Sequence, residues 1–385
     1  MVPASMKLGG IASSAVAPFV GLIGLCAMVA CSSNANGGGA GDGGVTCGTT
    51  TVEDMSLQAC SSCTPASACT AAAPLDACCN WLSAPTDPLL LATGLHRYSA
   101  PNGATLQNTP TWNACLSVEP DGGTTSSMTA TLTGYVWLFS SGQDSQGVQV
   151  DVFAENNPNT DGTIPMNGSL GTYTTSMSDP IDPTDSTWNS KCDNGCSYRQ
   201  YVIKDVPLDT PLVIRTMDAG SMQWATLYDY AIYFPSSSVT QGPGGTAMVT
   251  YDATAVAGPD LPTVAGAVGL SIQPNEGLLA GEVHDCDDVR LGGATVGTDA
   301  PNGSPVYYFT SDESEPLPSQ DQRDTSVLGL YGLINVPTGV PIRVSALGAD
   351  PNNAGQYLML GTYTVQVYSG AVTALVLRGR RPWQL

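Results

Sequence analysis

Basic residues and histidine are scarce in this chain of 385 residues, which holds 12 lysines and arginines against 33 acidic residues, and two histidines. The formal net charge of -21 argues against a nucleic-acid partner, because binding a phosphate backbone needs lysine and arginine to displace counterions. His96 and His284 alone offer almost no material for a zinc peptidase, which needs a histidine pair and a nearby glutamate. A Gly-x-Ser-x-Gly nucleophile elbow is missing too. We therefore expect no nucleic acid, no cofactor and no recognised hydrolase activity.

Strong helix formers are also few, since charged residues make up only 12% of the chain, whereas glycine (43) and proline (28) are abundant. This composition favours many short strands joined by turns. The chain exceeds the roughly 250 to 300 residues that one core usually supports, so more than one domain is expected.

The N-terminus has the parts of a secretory signal peptide, because Lys7 precedes an uncharged apolar run from Leu8 to Ala30. The sequence Met28-Val29-Ala30-Cys31 resembles the lipobox of bacterial lipoproteins, although Met28 stands where leucine is usual. The resemblance implies a signal peptide over 1–30, lipidation of Cys31 and a membrane partner through the lipid anchor. Simple cleavage and an uncleaved anchor are the alternatives, since an apolar run of this length also spans a bilayer. The lipoprotein resemblance implies a location at the outer membrane or cell surface of a Gram-negative bacterium, and 31–46 is predicted to be a Gly-rich tether.

Cysteines concentrate in residues 47–123, which predicts a small disulfide-rich segment. Such cysteines persist as disulfides in oxidising compartments. A zinc site or redox pair at Cys60-x-x-Cys63 is the alternative, but a second paired motif at zinc-site spacing is missing. The disulfide candidates in this segment are Cys47, Cys60, Cys63, Cys69, Cys78, Cys79 and Cys115.

Three further cysteines lie downstream. Cys192 and Cys196 flank Asp-Asn-Gly, a typical three-residue hairpin loop, and we predict a bridge between them. Cys286 either pairs with the odd member of the N-terminal group or remains free.

An internal repeat organises the rest of the chain. Residues 201–219 and 331–349 superpose without a gap, including Tyr201 with Tyr331 and Val206-Pro207 with Val336-Pro337. Each copy alternates apolar and polar residues between turns, the pattern of half-buried antiparallel strands. This predicts units at 124–258 and 277–385, with closing strands at 224–234 and 357–377. The linker 259–276 could include one short helix, and the first copy carries an insertion at 155–190.

The second copy resembles a known family. Its motifs are Gly281-Glu-Val283-His-Asp285, Leu291-Gly-Gly293-Ala294-Thr-Val296 and Gly329-Leu-Tyr331-Gly-Leu333-Ile-Asn-Val336-Pro337-Thr-Gly339, and they look like those of the carboxypeptidase regulatory-like domain. The first copy departs further, with Leu138 in place of the family's Asp and Arg199 in place of its Gly. The resemblance implies an all-β chain with two tandem transthyretin-like (prealbumin-like) antiparallel β-sandwiches, preceded by the disulfide-rich segment. Modules of this family accompany peptidase domains and are not the peptidase.

Acidic residues crowd the stretch 281–296 of the second copy. Strand alternation directs Leu279 and Val283 to the core and Glu282 and His284 to solvent, and Asp285 to Asp288 would then cap amides in a turn. We expect no metal site, since a transition metal needs three or four converging ligands. The weak metal candidates are Glu282 and His284 here, and Asn157, Asn159 and Asp161, which partly imitate a calcium loop.

These features predict a non-catalytic exported lipoprotein that acts in surface binding, adhesion or scaffolding, with an unknown protein or carbohydrate ligand. The alternative is an enzyme with an unrecognised metal or nucleophile in the Cys-rich segment or in the 155–190 insertion.

Overall fold

The computed structural model describes residues 94–97, 112, 127–139, 144–156, 162–182, 198–220, 223–301, 304–312, 316–351 and 357–379. All of them lie in the second of two compact units, Asp42–Leu385. This part of the chain is mostly β-structure, as predicted, with one α-helix, α1 (Asp260–Ala267). The strands of the first copy and the short strand before it are β1 (His96–Arg97), β2 (Thr129–Phe139), β3 (Val148–Ala154), β4 (Gly171–Thr174), β5 (Gln200–Pro207), β6 (Leu212–Asp218), β7 (Trp224–Ala225), β8 (Leu227–Ile232), β9 (Thr240–Gln241), β10 (Ala247–Thr250) and β11 (Ala253–Ala257). Those of the second copy are β12 (Glu276–Val283), β13 (Leu291–Gly292), β14 (Ala294–Thr298), β15 (Val306–Phe309), β16 (Pro318–Ser319), β17 (Leu330–Pro337), β18 (Pro341–Ala349), β19 (Tyr357–Gln366) and β20 (Val372–Leu377).

The two repeated segments share the same strand pairings. β2 pairs antiparallel with β5 and parallel with β10 and β11, and β12 likewise pairs antiparallel with β17 and parallel with β20. On the opposite side, β3–β6–β8 in the first copy corresponds to β14–β18–β19 in the second. The Val-Pro pairs end β5 and β17, because proline has no amide hydrogen for the ladder.

A glycine and a tyrosine hold the same position in both copies. The hydroxyl of Tyr201 donates to the carbonyl of Tyr251 at 2.7 Å, and that of Tyr331 donates to the carbonyl of Leu375 at 2.9 Å. A Cβ on Gly134 or Gly281 would lie 1.8 Å from the same two carbonyl oxygens. The parallel strand therefore approaches so closely that only glycine fits.

One nine-stranded sheet runs through both copies, in the order β16-β15-β17-β12-β20-β8-β6-β3-β4. The copies meet where β8 pairs in parallel with β20, from Leu227 opposite Val372 to Tyr230 opposite Leu375. All six residues of β8 are buried, because the strand lies between two others and is covered on both faces. The sequence pattern predicts units joined by a linker, and it does not indicate this shared sheet.

The shared sheet contributes to two cores on opposite faces. On one face, Val150, Val152 and Ile214 belong to the core of the first copy. On the other, Phe153 and Tyr230 join the core of the second. The first copy's sheet is thus buried on its outer face by the second copy.

The linker contains α1, as predicted, and the helix packs on a third apolar cluster at the junction of the copies. Strands occur within both predicted closing segments, 224–234 and 357–377. However, the first-copy counterpart of β20 is the β10–β11 pair at 247–257, which the sequence pattern does not indicate. Among the described residues, none of the helices has the length and apolar character needed to cross a bilayer.

Candidate functional site at the acidic turn

The stretch from Glu282, near the end of β12, to Arg290 forms a tight hairpin, which we call the acidic turn. The backbones of His284 and Arg290 form an isolated antiparallel β-bridge, and the amide of Asp285 donates to the carbonyl of Val289 at 2.9 Å. Oδ1 of Asp285 accepts the amides of Asp287 and Val289, each at 2.9 Å, which confirms the predicted capping role for this residue. Asp288 has φ 66°, a conformation that aspartate tolerates better than most residues.

The expected alternation is confirmed for the core side of β12, because Leu279 and Val283 are buried. The prediction that Glu282 and His284 face open solvent is wrong, since their side chains are only 22% and 13% exposed. Nε2 of His284 lies 2.6 Å from Oε2 of Glu282, and Arg290 donates to both Glu282 oxygens at 2.8 and 3.0 Å. The guanidinium of Arg290, on the opposite strand of the hairpin, covers the face that carries Glu282 and His284. The alternation of side chains along β12 does not indicate this contact.

His284 lies between two carboxylates. Its Nδ1 is 2.9 Å from Oδ1 of Asp288, and Nη1 of Arg378 reaches the same oxygen at 2.6 Å. Burial lowers the pKa of His284, but the contacts with Asp288 and Glu282 outweigh it and raise the pKa overall. The hydrogen bond from His284 lowers the pKa of Asp288, against its burial, and Arg378 lowers it further.

This arrangement favours an imidazolium with both ring nitrogens donating. A metal ligand must be a neutral imidazole, so a metal at His284 would compete with two ion pairs. Within the described ranges, no group of three or more His, Cys, Asp or Glu residues is placed to hold a metal ion. The chemistry supported here is charge neutralisation.

The acidic turn binds a segment that precedes the first copy in sequence. Nε of Arg97 donates to Asp285, and its Nη2 lies 2.8 Å from Oδ2 of Asp287. The side chains of Arg97 and Asp285 are 4% and 0% exposed, so this ion pair is buried. The amide of Cys286 also donates to the carbonyl of Trp112 at 2.8 Å.

Backbone pairing strengthens the same contact. β1 pairs antiparallel with β13, with His96 opposite Gly292, and the amide of Leu95 donates to the carbonyl of Ala349 at 3.0 Å. Leu95 is buried within the core of the second copy. Residues 94–97, called the N-terminal segment below, therefore dock on the second copy, although the first copy lies between the two in sequence.

Arg97 is the functional residue that sequence reasoning missed. Its signal is rarity, because a chain with 12 basic and 33 acidic residues has few cations to neutralise buried acids. The two copies differ at the position of Asp285. The first copy has Leu138 there, and this leucine is itself buried. Only the second copy carries the acids that bind Arg97.

Cys286 is disulfide-bonded and packs against the second-copy core. The remaining site candidates lie outside the described residues, so lipidation, the other disulfides and the calcium-like loop stay predictions. They are Cys31, Cys47, Cys60, Cys63, Cys69, Cys78, Cys79, Cys115, Cys192, Cys196, Asn157, Asn159 and Asp161.

No protein-family model matches the chain, and no curated protein matches it. Among solved structures, a mutant of the shaft pilin SpaA from Lactobacillus rhamnosus GG is 10% identical, with 66% of this chain and 100% of the pilin covered and a TM-score of 0.19. A mutant of the major pilin from Streptococcus pyogenes is 12% identical, with 64% and 99% covered and a TM-score of 0.15. Likeness at these TM-scores supports no conclusion about this chain.

Proposed function

We propose that this chain is a non-catalytic scaffold of the bacterial cell envelope, exported and anchored through a lipid on Cys31. Its two modules resemble carboxypeptidase regulatory-like domains and would present a surface to a protein or carbohydrate ligand. The observation that carries the proposal is the continuous nine-stranded sheet, which joins both copies through β8 and β20.

The acidic turn supports the same role. Its charged side chains hold Arg97, Arg290 and Arg378 in ion pairs that join separate parts of the chain. Catalytic acids and bases need to reach a substrate, whereas these groups are engaged with one another. The cluster thus acts as a structural tie between the N-terminal segment and the second copy.

Labelling with a radioactive fatty acid tests the anchor in a Gram-negative host. We expect label on the wild-type chain and loss of it in Cys31→Ser, because the thiol of this residue would carry the lipid. Cys26→Ser, in the apolar part of the signal, is the matched control and should keep the label. A freely secreted, unlabelled wild-type product would contradict the anchor.

Metal analysis of the purified mature chain tests the non-catalytic part. We expect less than stoichiometric zinc, iron or calcium after dialysis. One equivalent of zinc or iron would favour the enzyme alternative, with its site in the Cys-rich segment or the 155–190 insertion.

A further inference from the structure

A cavity of about 240 Å³ lies at the junction of the two copies, on the face of the nine-stranded sheet opposite the second-copy core. Its floor includes one row of residues paired across three strands, and two of them are alanines. Asp229 lies opposite Ala374, and Ala374 lies opposite Ala280. Because paired residues project from the same face, the two alanines leave the space open.

Apolar side chains from both copies and the linker helix line this space, which is partly open to solvent. The walls come from the end of β2, from β11, from α1 and from β15 and β17, and they include Phe139, Val256, Leu261, Val264, Phe309 and Leu330. A dry apolar cavity of about 150 Å³ already accepts benzene. This cavity therefore has room for a ligand of roughly ten non-hydrogen atoms.

The polar groups at the cavity are acidic or neutral. Asp229 is a carboxylate with 8% of its surface exposed, and it accepts a hydrogen bond from the hydroxyl of Tyr251, which also lines the cavity. Glu282, which is paired with Arg290 in the acidic turn, also lines the cavity. A cationic group that donates hydrogen bonds is complementary to Asp229, and the attraction is stronger in a water-poor site than at the surface.

We propose that this cavity binds a small primary amine with an aromatic or branched aliphatic body. The ammonium group donates to Asp229, and the apolar body lies over Ala280 and Ala374 beneath α1. This site goes beyond the scaffold role, and it stands or fails independently of the lipid anchor.

Calorimetric titration of the mature chain with 2-phenylethylamine tests the proposal, with 3-phenylpropionate as the probe of similar size and opposite charge. We expect saturable binding of the amine and at least tenfold weaker binding of the acid, because the acid would face a buried carboxylate. Asp229→Asn keeps an acceptor for Tyr251 while removing the charge, so it should weaken amine binding at least tenfold. Asp321→Asn removes the same charge from an exposed loop and should leave binding unchanged.

Filling the cavity provides the steric test. Ala280→Leu and Ala374→Leu should each abolish amine binding, while Ala219→Leu, at an exposed position away from the cavity, should not. Near-ultraviolet circular dichroism and the melting temperature show whether each variant is folded. If one of the two leucine variants does not fold, the other still tests the proposal. The proposal is wrong if the amine does not bind at millimolar concentration, if both probes bind equally, or if binding survives in a folded leucine variant.

Discussion

Replacing Arg97 tests whether the acidic turn holds the N-terminal segment. Arg97→Met keeps most of the apolar stem but leaves the carboxylate of Asp285 without its guanidinium. Because both side chains are almost fully buried, removing one partner leaves a buried charge behind. Loss of such a pair costs about 3–5 kcal/mol.

The expected value lies at the lower end of that range, about 3 kcal/mol, because Asp285 keeps the amides of Asp287 and Val289 as donors. The ion pair between Arg97 and Asp287 uses the same guanidinium and provides a comparison. The side chain of Asp287 is 29% exposed, so Asp287→Asn should cost only about 0–1 kcal/mol.

Hydrogen exchange at the amide of Leu95 measures the effect directly, since this amide donates to the carbonyl of Ala349 only while the segment is docked. About 3 kcal/mol corresponds to a roughly hundredfold faster exchange in Arg97→Met. Asp287→Asn should change the rate by less than about fivefold. Equal effects of the two variants, or a change below about fivefold in Arg97→Met, would refute the buried-pair argument.

Three further predictions concern the strand contacts and the pH response. Gly281→Ala should destabilise the chain by about 3 kcal/mol or more in urea unfolding, because its Cβ would lie 1.8 Å from the carbonyl oxygen of Leu375. Gly339→Ala, whose Cβ meets open space at φ 75°, should cost only about 1 kcal/mol. Tyr331→Phe should cost about 1 kcal/mol by the same assay, since it removes one buried hydrogen bond, and no measurable change would contradict that role. The pKa of His284 is higher in the folded chain than in the unfolded chain, where it is about 6.5. Protonation of His284 therefore stabilises the folded chain fully below about pH 6.5, and this contribution is lost as the pH rises through the pKa of the folded state. The melting temperature of the wild type should decline over that pH range, and that of His284→Gln should not.

The repeat could be predicted because its signals are local. Glycine before an alternating strand, tyrosine in the partner strand and Val-Pro at its end occur in the same register in both copies. They reappear as the same contact, with Tyr201 and Tyr331 bonded across Gly134 and Gly281. The period-two pattern also identified Leu279 and Val283 as core residues.

The junction could not be predicted, because alternation shows which residues are buried and not what buries them. β8 reads as an ordinary closing strand, yet its pairing with β20 spans more than 140 residues. Within the acidic turn, burial of Asp285 depends on Arg97, which lies 188 residues away in sequence. Such pairs leave no local signature, so the sequence predicted a solvent-facing hairpin where the structure has a buried ion pair.

The pairing of β1 with β13 also determines when the chain can finish folding. The ribosome delivers residues at about 5–20 per second, so His96 emerges roughly 10 to 40 s before its partner Gly292. Until then the N-terminal segment has no docking surface, and contacts this distant in sequence form slowly even after synthesis. Residues 94–97 are therefore made long before they can reach their native position.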